Sequence, residues 1–171
     1  MSMKSNIPIP GSSREKILQE AILAFGTQGY EKVNVQQLAQ NIGVTTGALY
    51  HHFGNKLELY KVVREEIERR ITSRMEAASE VHEDPLESLK SSMIIGFNAA
   101  VKLNVCTLLC EPDFSLNEDL VANLFQEILN ENIPGIEVLL SSLWRAALKN
   151  VSNGMSPTEA KNALIWLIEK L

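Results

Sequence analysis

The most restrictive part of this chain is the segment 35–56, VQQLAQNIGVTTGALYHHFGNK, which predicts two short helices joined by a tight turn at Gly43. A Gly54-Asn55 pair then separates the second helix from a third. The apolar residues fall where two crossed helices would bury them: Val35, Leu38, Ala39, Ile42, Val44, Leu49 and Phe53. Small, hydroxylated and amphipathic side chains lie between them. This pattern predicts a helix-turn-helix, in which the second helix enters the major groove of DNA.

Helix-start signals recur along the rest of the chain, and strand-like alternation does not. Serine, asparagine or aspartate stands where a cap is expected, followed by glutamate, glutamine or proline, at Ser12, Asn34, Asp84, Ser115 and Ser156. The sequence therefore predicts an all-α protein of eight or nine helices without a sheet. We expect one long helix from Asn55 to about Ala78 and two closing helices, roughly Ile136 to Val151 and Pro157 to Leu171.

Charge is unevenly distributed along the chain. Residues 1–70 hold nine Lys/Arg and seven Asp/Glu, whereas the whole chain has a net charge of −5. Only the amino-terminal part is thus compatible with attraction to DNA phosphates, and charge alone supports DNA binding weakly. An apolar run long enough to span a membrane and an apolar signal core are both missing, so we expect a cytoplasmic protein without membrane contact.

In order and spacing, the segment from Ser12 to Tyr60 resembles the DNA-binding domain of the tetracycline-repressor (TetR) family. The most specific match is Gly-Val-Thr-x-Gly-x-Leu-Tyr-x-His-Phe-x-x-Lys, which begins at Gly43 and ends at Lys56. Asn34 replaces the threonine usual in the family, and Leu57 stands where an acidic residue is common. Asn34 retains the capping chemistry. The resemblance implies a homodimeric repressor of a double-stranded DNA operator, released by a small-molecule effector that the sequence does not identify.

We assign candidate DNA contacts to the second helix of the motif and its flanks. Thr45 is the expected cap, and its hydroxyl could also bond a phosphate at the helix N-terminus. Thr46, Gly47 and Ala48 occupy the first turn, which faces base edges in this motif. The remaining candidates are Tyr50 for phosphate or base, His51 for bases or solvent only, and, by the resemblance, His52 and Lys56 for phosphate.

The resemblance and the helix pattern divide the chain into three parts. We predict a flexible tail over residues 1–11, a three-helix DNA-binding head with the helix-turn-helix over 12–54, and a helical effector-binding and dimerisation domain over 55–171. The resemblance implies that the last two helices pair with their copies in a four-helix dimer interface. The candidate interface residues are Leu140, Trp144, Leu164, Ile165, Leu167 and Ile168. Leu140 and Trp144 share an apolar face of the first of these helices. Leu164, Leu167 and Ile168 share one of the second, and Ile165 and Trp166 lie off that face. An apolar core within one chain is the alternative explanation of these apolar faces.

A mainly apolar effector pocket is predicted from side chains of the second domain. Its candidate residues are Met93, Phe97, Cys106, Cys110 and Trp144, which could equally be plain core. Cys106 and Cys110 lie four residues apart, so a redox- or metal-sensing regulator is an alternative, since thiolates bind soft metals.

Enzyme signatures are weak throughout the sequence. It contains no Glu-x-x-His pair, no phosphate-binding loop and no zincin motif, so we predict no catalytic residue, no cofactor and no metal site. A DNA-processing enzyme that carries a helix-turn-helix remains the alternative of another class. A helical interaction protein that has lost DNA binding is a third, and the presence of Tyr50, His52 and Lys56 argues against it.

Overall fold

The computed structural model describes residues 11–110, 118–130 and 133–170. Within these residues the chain forms nine α-helices and no strand, which confirms the predicted fold class. The helices are α1 (Ser13–Lys32), α2 (Val35–Asn41), α3 (Thr46–Phe53), α4 (Lys56–Ser79), α5 (Pro85–Lys102), α6 (Cys106–Cys110), α7 (Leu120–Leu129), α8 (Ile136–Ser152) and α9 (Pro157–Ile168). None of these helices combines the length and the apolar character needed to cross a bilayer.

Local capping chemistry explains where most helices begin. Ser12 Oγ accepts a hydrogen bond from the Glu15 N–H at 3.2 Å, and Asp84 Oδ2 accepts one from the Glu87 N–H at 2.9 Å. Ser156 and Glu159 form the complete capping box of α9. The predicted cap at Ser115 lies outside the described residues, and the next helix, α7, is capped by Asp119.

α1 changes direction near its end. Gly29 has φ 75° and ψ 170°, a positive-φ backbone conformation that favours glycine, and it kinks the helix at this position. The change of direction is followed by Val33, which is buried ahead of α2.

α4 is the central helix of the core. Its apolar stripe of Val63, Ile67, Ile71 and Met75, which repeats every four residues, is fully buried. α5 packs against it so closely that a Cβ placed on Gly96 would lie 2.7 Å from Met75 Cγ. α1 packs against α4 and α6 as well as α2 and α3, and one hydrophobic cluster continues from Ile17 in α1 to Ile168 in α9. Buried side chains therefore join the helix-turn-helix to the helices that follow it.

Candidate DNA-binding site

The turn between α2 and α3 has the geometry expected of a helix-turn-helix. Asn34 Oδ1 caps α2 by accepting from the N–H groups of Gln36 and Gln37 at 2.9 and 3.1 Å. Gly43 follows with φ 71°, and the Val44 N–H donates to the Ala39 carbonyl at 3.0 Å. This closes the turn and directs the chain into α3.

Two side chains attach α3 to the rest of the molecule. Leu49 and Phe53, four positions apart, are buried against the core. The other face of α3 stays exposed and carries five of the predicted DNA contacts: Gly47, Ala48, Tyr50, His51 and His52. The rings of His51 and His52 lie 5.7 Å apart, centroid to centroid. The structure thus presents hydrogen-bonding groups on the face that the packing leaves open.

Thr45 is the N-cap of α3, as predicted. Its Oγ1 accepts a hydrogen bond from the Ala48 N–H at 3.0 Å. The hydroxyl proton is still available to donate to a phosphate oxygen, because capping uses only an oxygen lone pair. The helix N-terminus adds a partial positive charge at the same place.

Gly47 is not required by the packing of its own chain. A Cβ added there would meet only Thr45 Oγ1, at the ordinary van der Waals distance of 3.8 Å. A glycine in the first turn of a helix also costs stability relative to alanine. The chain therefore tolerates a less favourable residue at a position that faces outwards.

Lys56 is held in place by α1. Its Nζ donates to the Glu31 carbonyl at 3.3 Å and lies 4.6 Å from the ring centroid of Tyr30. The Tyr30 ring packs edge-on against Tyr60, with centroids 5.0 Å apart. The lysine predicted to bind phosphate thus also connects the start of α4 to the end of α1. Because an ammonium group has three N–H donors, this one hydrogen bond leaves others able to donate to a phosphate.

A further cation near α3 was not predicted. The guanidinium carbon of Arg14 lies 5.1 Å from the ring centroid of Phe53, at the C-terminal end of α3. The contact depends on how α1 packs against α3, which periodicity does not specify. The only signal in the sequence is a basic residue in the first turn of a capped helix.

Four of the six residues predicted for the dimer interface pack inside the single chain. Leu140, Trp144, Leu164 and Ile168 are all buried within the single chain. A side chain that already packs in its own core has no surface to offer to a partner. Ile165 is half-buried and Leu167 is exposed. The exposed apolar residues on the same two helices are instead Val138, Leu139, Trp166 and Leu167, with Leu139 67% and Trp166 61% exposed.

The predicted effector pocket is occupied by its own side chains. Met93, Phe97 and Trp144 are buried, and Trp144 Nε1 donates to the Met93 carbonyl at 3.1 Å. Cys106 instead lines a half-open cleft of about 370 Å³ between α1 and the ends of α5 and α8. The structure therefore brings Met93 and Trp144 into contact but places Cys106 in this separate cleft.

The thiol chemistry of Cys106 disfavours the sensor alternative. Burial, and then the neighbouring Cys110, raise the pKa of Cys106 to about 11. The thiolate is the reactive and metal-binding form, so this thiol is poorly reactive at neutral pH. Cys110 donates its S–H to the Thr107 carbonyl at 3.4 Å. Over the described ranges, no group of three or more His, Cys, Asp or Glu side chains could hold a metal ion.

Fold and exposed face together define a helix-turn-helix protein with an appended helical bundle. Residues 17–63 match the family model described as bacterial regulatory proteins, tetR family. The similarity to this family lies in the amino-terminal part of the chain.

Two similar proteins are described as a repressor and as a transcriptional regulator. The chain is 29% identical over 98 residues to the probable acrEF/envCD operon repressor of Escherichia coli K12, which covers 53% of this chain and 42% of the relative. It is 34% identical over 108 residues to the transcriptional regulator LmrA of Bacillus subtilis, with 60% and 51% covered. The chain thus spans about half the length of these relatives, or less. These names are those of regulators, which disfavours the enzyme alternative.

The whole fold also has a counterpart among solved structures. A TetR-family transcriptional regulator from Pectobacterium atrosepticum superposes with a TM-score of 0.71 at 21% identity, over 91% of this chain and 90% of that one. At this identity the likeness describes the fold, and it extends well beyond the helix-turn-helix.

Proposed function

We propose that this chain is a cytoplasmic transcriptional repressor that binds a near-palindromic DNA operator as a homodimer and is released by a small-molecule effector. The observation that carries the proposal is the exposed face of α3, which combines the Thr45 cap with Gly47, Tyr50 and His52. The buried side chains of Leu49 and Phe53 hold this face in a fixed orientation. A rigid helix with an open, hydrogen-bonding face is what reading of the major groove requires.

In the proposed complex, the first turn of α3 reads bases and its flanks bind the backbone. Thr46 and Ala48 contact base edges, and Ala48 supplies only an apolar contact such as one to a thymine methyl. Gly47 lets the helix approach closely. Tyr50, His52 and Lys56 contact phosphates, which position the protein without selecting sequence.

Dimerisation is proposed through α8 and α9. The four exposed apolar residues of these helices, Val138, Leu139, Trp166 and Leu167, are the supporting observation. Large exposed aromatic and aliphatic side chains on neighbouring helices are typical of a contact surface. A two-fold dimer then presents two copies of α3 to two half-sites, which matches the symmetry of a palindrome.

The proposed effector site lies among Met93, Phe97 and Trp144. Because these side chains are buried in the described conformation, a ligand must displace them to bind, which makes the site a minor-state pocket. Such a ligand would change the separation of the two α3 helices by shifting the bundle that carries them.

The proposal is tested by separating phosphate contacts from base contacts. With a duplex selected by the wild-type protein, Lys56→Ala should weaken binding to all sequences alike and lower the salt slope by about one unit. Thr46→Ala should instead change the preference at one or two base pairs. Lys61→Ala is the matched control, since it removes a lysine of α4 that pairs with Glu58 at 2.9 Å.

Thermal unfolding of each variant separates DNA contacts from folding, since Lys56 also contacts α1. The proposed phosphate contact is wrong if folded Lys56→Ala binds with the affinity and salt slope of Lys61→Ala.

A further inference from the structure

A buried ionic cluster lies in the helical bundle, where α4, α7 and α8 meet. It comprises Arg64 and Glu68 of α4, Arg145 of α8 and Asp119, the N-cap of α7. Arg64 and Glu68 are completely buried, with Arg64 Nη2 2.9 Å from Glu68 Oε1. Arg145 Nη2 lies 3.1 Å from the same oxygen and 2.9 Å from Asp119 Oδ1. Three helices are thus joined through one set of charges.

Both arginines also hold the end of α6. Arg64 Nη1 donates to the Leu108 carbonyl, and Arg64 Nη2 donates to the Leu109 carbonyl at 3.4 Å. Arg145 Nη1 donates to the Leu109 carbonyl at 2.7 Å. The position of α6 therefore depends on the cluster.

The beginning of α6 packs against α1, the helix that supports the helix-turn-helix. A Cβ placed on Gly26 of α1 would lie 2.7 Å from the Asn104 carbonyl oxygen and 3.2 Å from Val105 Cγ1. α1 and the turn that leads into α6 are therefore in close contact at Gly26. The cluster and the DNA-binding face are thereby connected through two packed helices.

The cluster is not saturated with hydrogen bonds. Glu68 Oε2 is buried and has no hydrogen-bond partner among the described residues. A buried carboxylate oxygen without a hydrogen-bond partner costs free energy. The outer pair is also accessible, because the side chains of Arg145 and Asp119 are 16% and 38% exposed.

We propose that this ionic cluster couples the bundle to the DNA-binding face, by fixing α6 and through it the orientation of α1. The inference rests on the proposed function, since it concerns DNA affinity. Loosening the outer Arg145–Asp119 pair lets α6 and α1 sample more orientations, which lowers the population competent to bind DNA. A ligand that displaces this pair would release DNA by the same route.

The test uses two aspartates that cap helices in the same way. Asp119→Asn keeps a capping oxygen for α7 but removes the charge that pairs with Arg145. Asp84→Asn is the matched control, because it makes the same change at the N-cap of α5. We expect Asp119→Asn to lower affinity for a selected duplex about fivefold or more at neutral pH, and to speed hydrogen exchange in α6 and α1. Asp84→Asn should change neither quantity.

A merely structural role would lower thermal stability while leaving exchange in α1 unchanged. The inference is overturned if Asp119→Asn matches Asp84→Asn both in affinity and in the exchange of α1 amides. Arg145→Met, compared with Arg70→Met in the exposed Arg70–Glu66 pair at 2.7 Å, gives an independent second comparison. If the wild-type protein selects no duplex, the proposed function fails, whereas the exchange comparison still decides the coupling.

Discussion

At the first turn of α3, glycine occupies a position where the chain itself would accept alanine. The nearest atom to a Cβ on Gly47 is 3.8 Å away, and Gly47 is exposed. Gly96 shows the contrast, since a Cβ there would meet Met75 at 2.7 Å. The small size of Gly47 is therefore best explained by something that approaches from outside the chain.

Gly47→Ala should move two quantities in opposite directions. The folded chain should gain up to about 0.5–1 kcal/mol of stability, because alanine is the better helix former. Affinity for a selected duplex should fall, because the added methyl group separates α3 from the bases. Chemical unfolding and DNA binding, measured on one preparation, provide the comparison. Unchanged or tighter DNA binding would mean that α3 does not approach DNA through Gly47.

Single residues could be predicted from the sequence where their partners are close along the chain. The caps at Ser12, Asn34 and Thr45 bond atoms two or three residues away, so a local pattern identifies them. The contact of Lys56 with Glu31 spans 25 residues, and that of Arg145 with Glu68 spans 77. No local pattern contains such pairs, because they exist only after the helices have packed.

For whole helices, apolar periodicity does not predict which face packs inside the chain, as α8 and α9 show. The sequence indicates that α9 is apolar on more than one face, but not which face packs inside its own chain. The structure buries Leu164 and Ile168 and exposes Trp166 and Leu167. The inner face is chosen by contacts with α5 and α8, which are non-local.

The dimer should depend on the outer face of α9. Trp166→Glu should give a folded monomer, because it places a charge in the proposed apolar contact without disturbing the core. Val81→Glu is the control, since Val81 is 76% exposed but lies beyond the end of α4. Sedimentation velocity at micromolar concentration distinguishes the species. A wild-type monomer, or a Trp166→Glu dimer, would reject this interface.

The N-terminus of α7 should give the chain a measurable dependence on acid. Burial alone would raise the pKa of Asp119, but the charge of Arg145 and hydrogen bonds from Ala122, Arg145 and Val121 hold that pKa below its ordinary value of 3.8. A depressed carboxyl pKa stabilises the fold above the ordinary value, and the stabilisation is lost as pH falls through the lowered pKa. Since Asp119 is partly exposed, we expect the contribution to stay within about 1 kcal/mol.

Urea unfolding of wild-type protein and Asp119→Asn measures this contribution. The difference in unfolding free energy should be constant from pH 7 to pH 5 and should shrink below pH 3.8. A difference that does not change with pH would show that the Arg145–Asp119 pair contributes nothing to stability.

At the scale of the whole molecule, one core connects the proposed DNA-binding surface on α3 to the proposed dimer surface on α8 and α9. The hydrophobic cluster runs from Ile17 of α1 through α4 to Ile168 of α9. The ionic cluster at Arg64, Glu68 and Arg145 interrupts this apolar packing at the point where α4, α6 and α8 meet. The sequence predicted the helices and most of their caps, whereas this connection depends on tertiary packing.

Selection of duplexes from a random DNA pool by the full chain tests operator binding and dimer symmetry together. We expect enrichment of one near-palindromic sequence with half-sites roughly one helical turn, about 10 bp, apart. Such a sequence would establish both sequence-specific binding and the two-fold symmetry of the bound protein. A pool that remains random after repeated rounds, or that enriches only an unrepeated half-site, would show that the chain is not the proposed dimeric repressor.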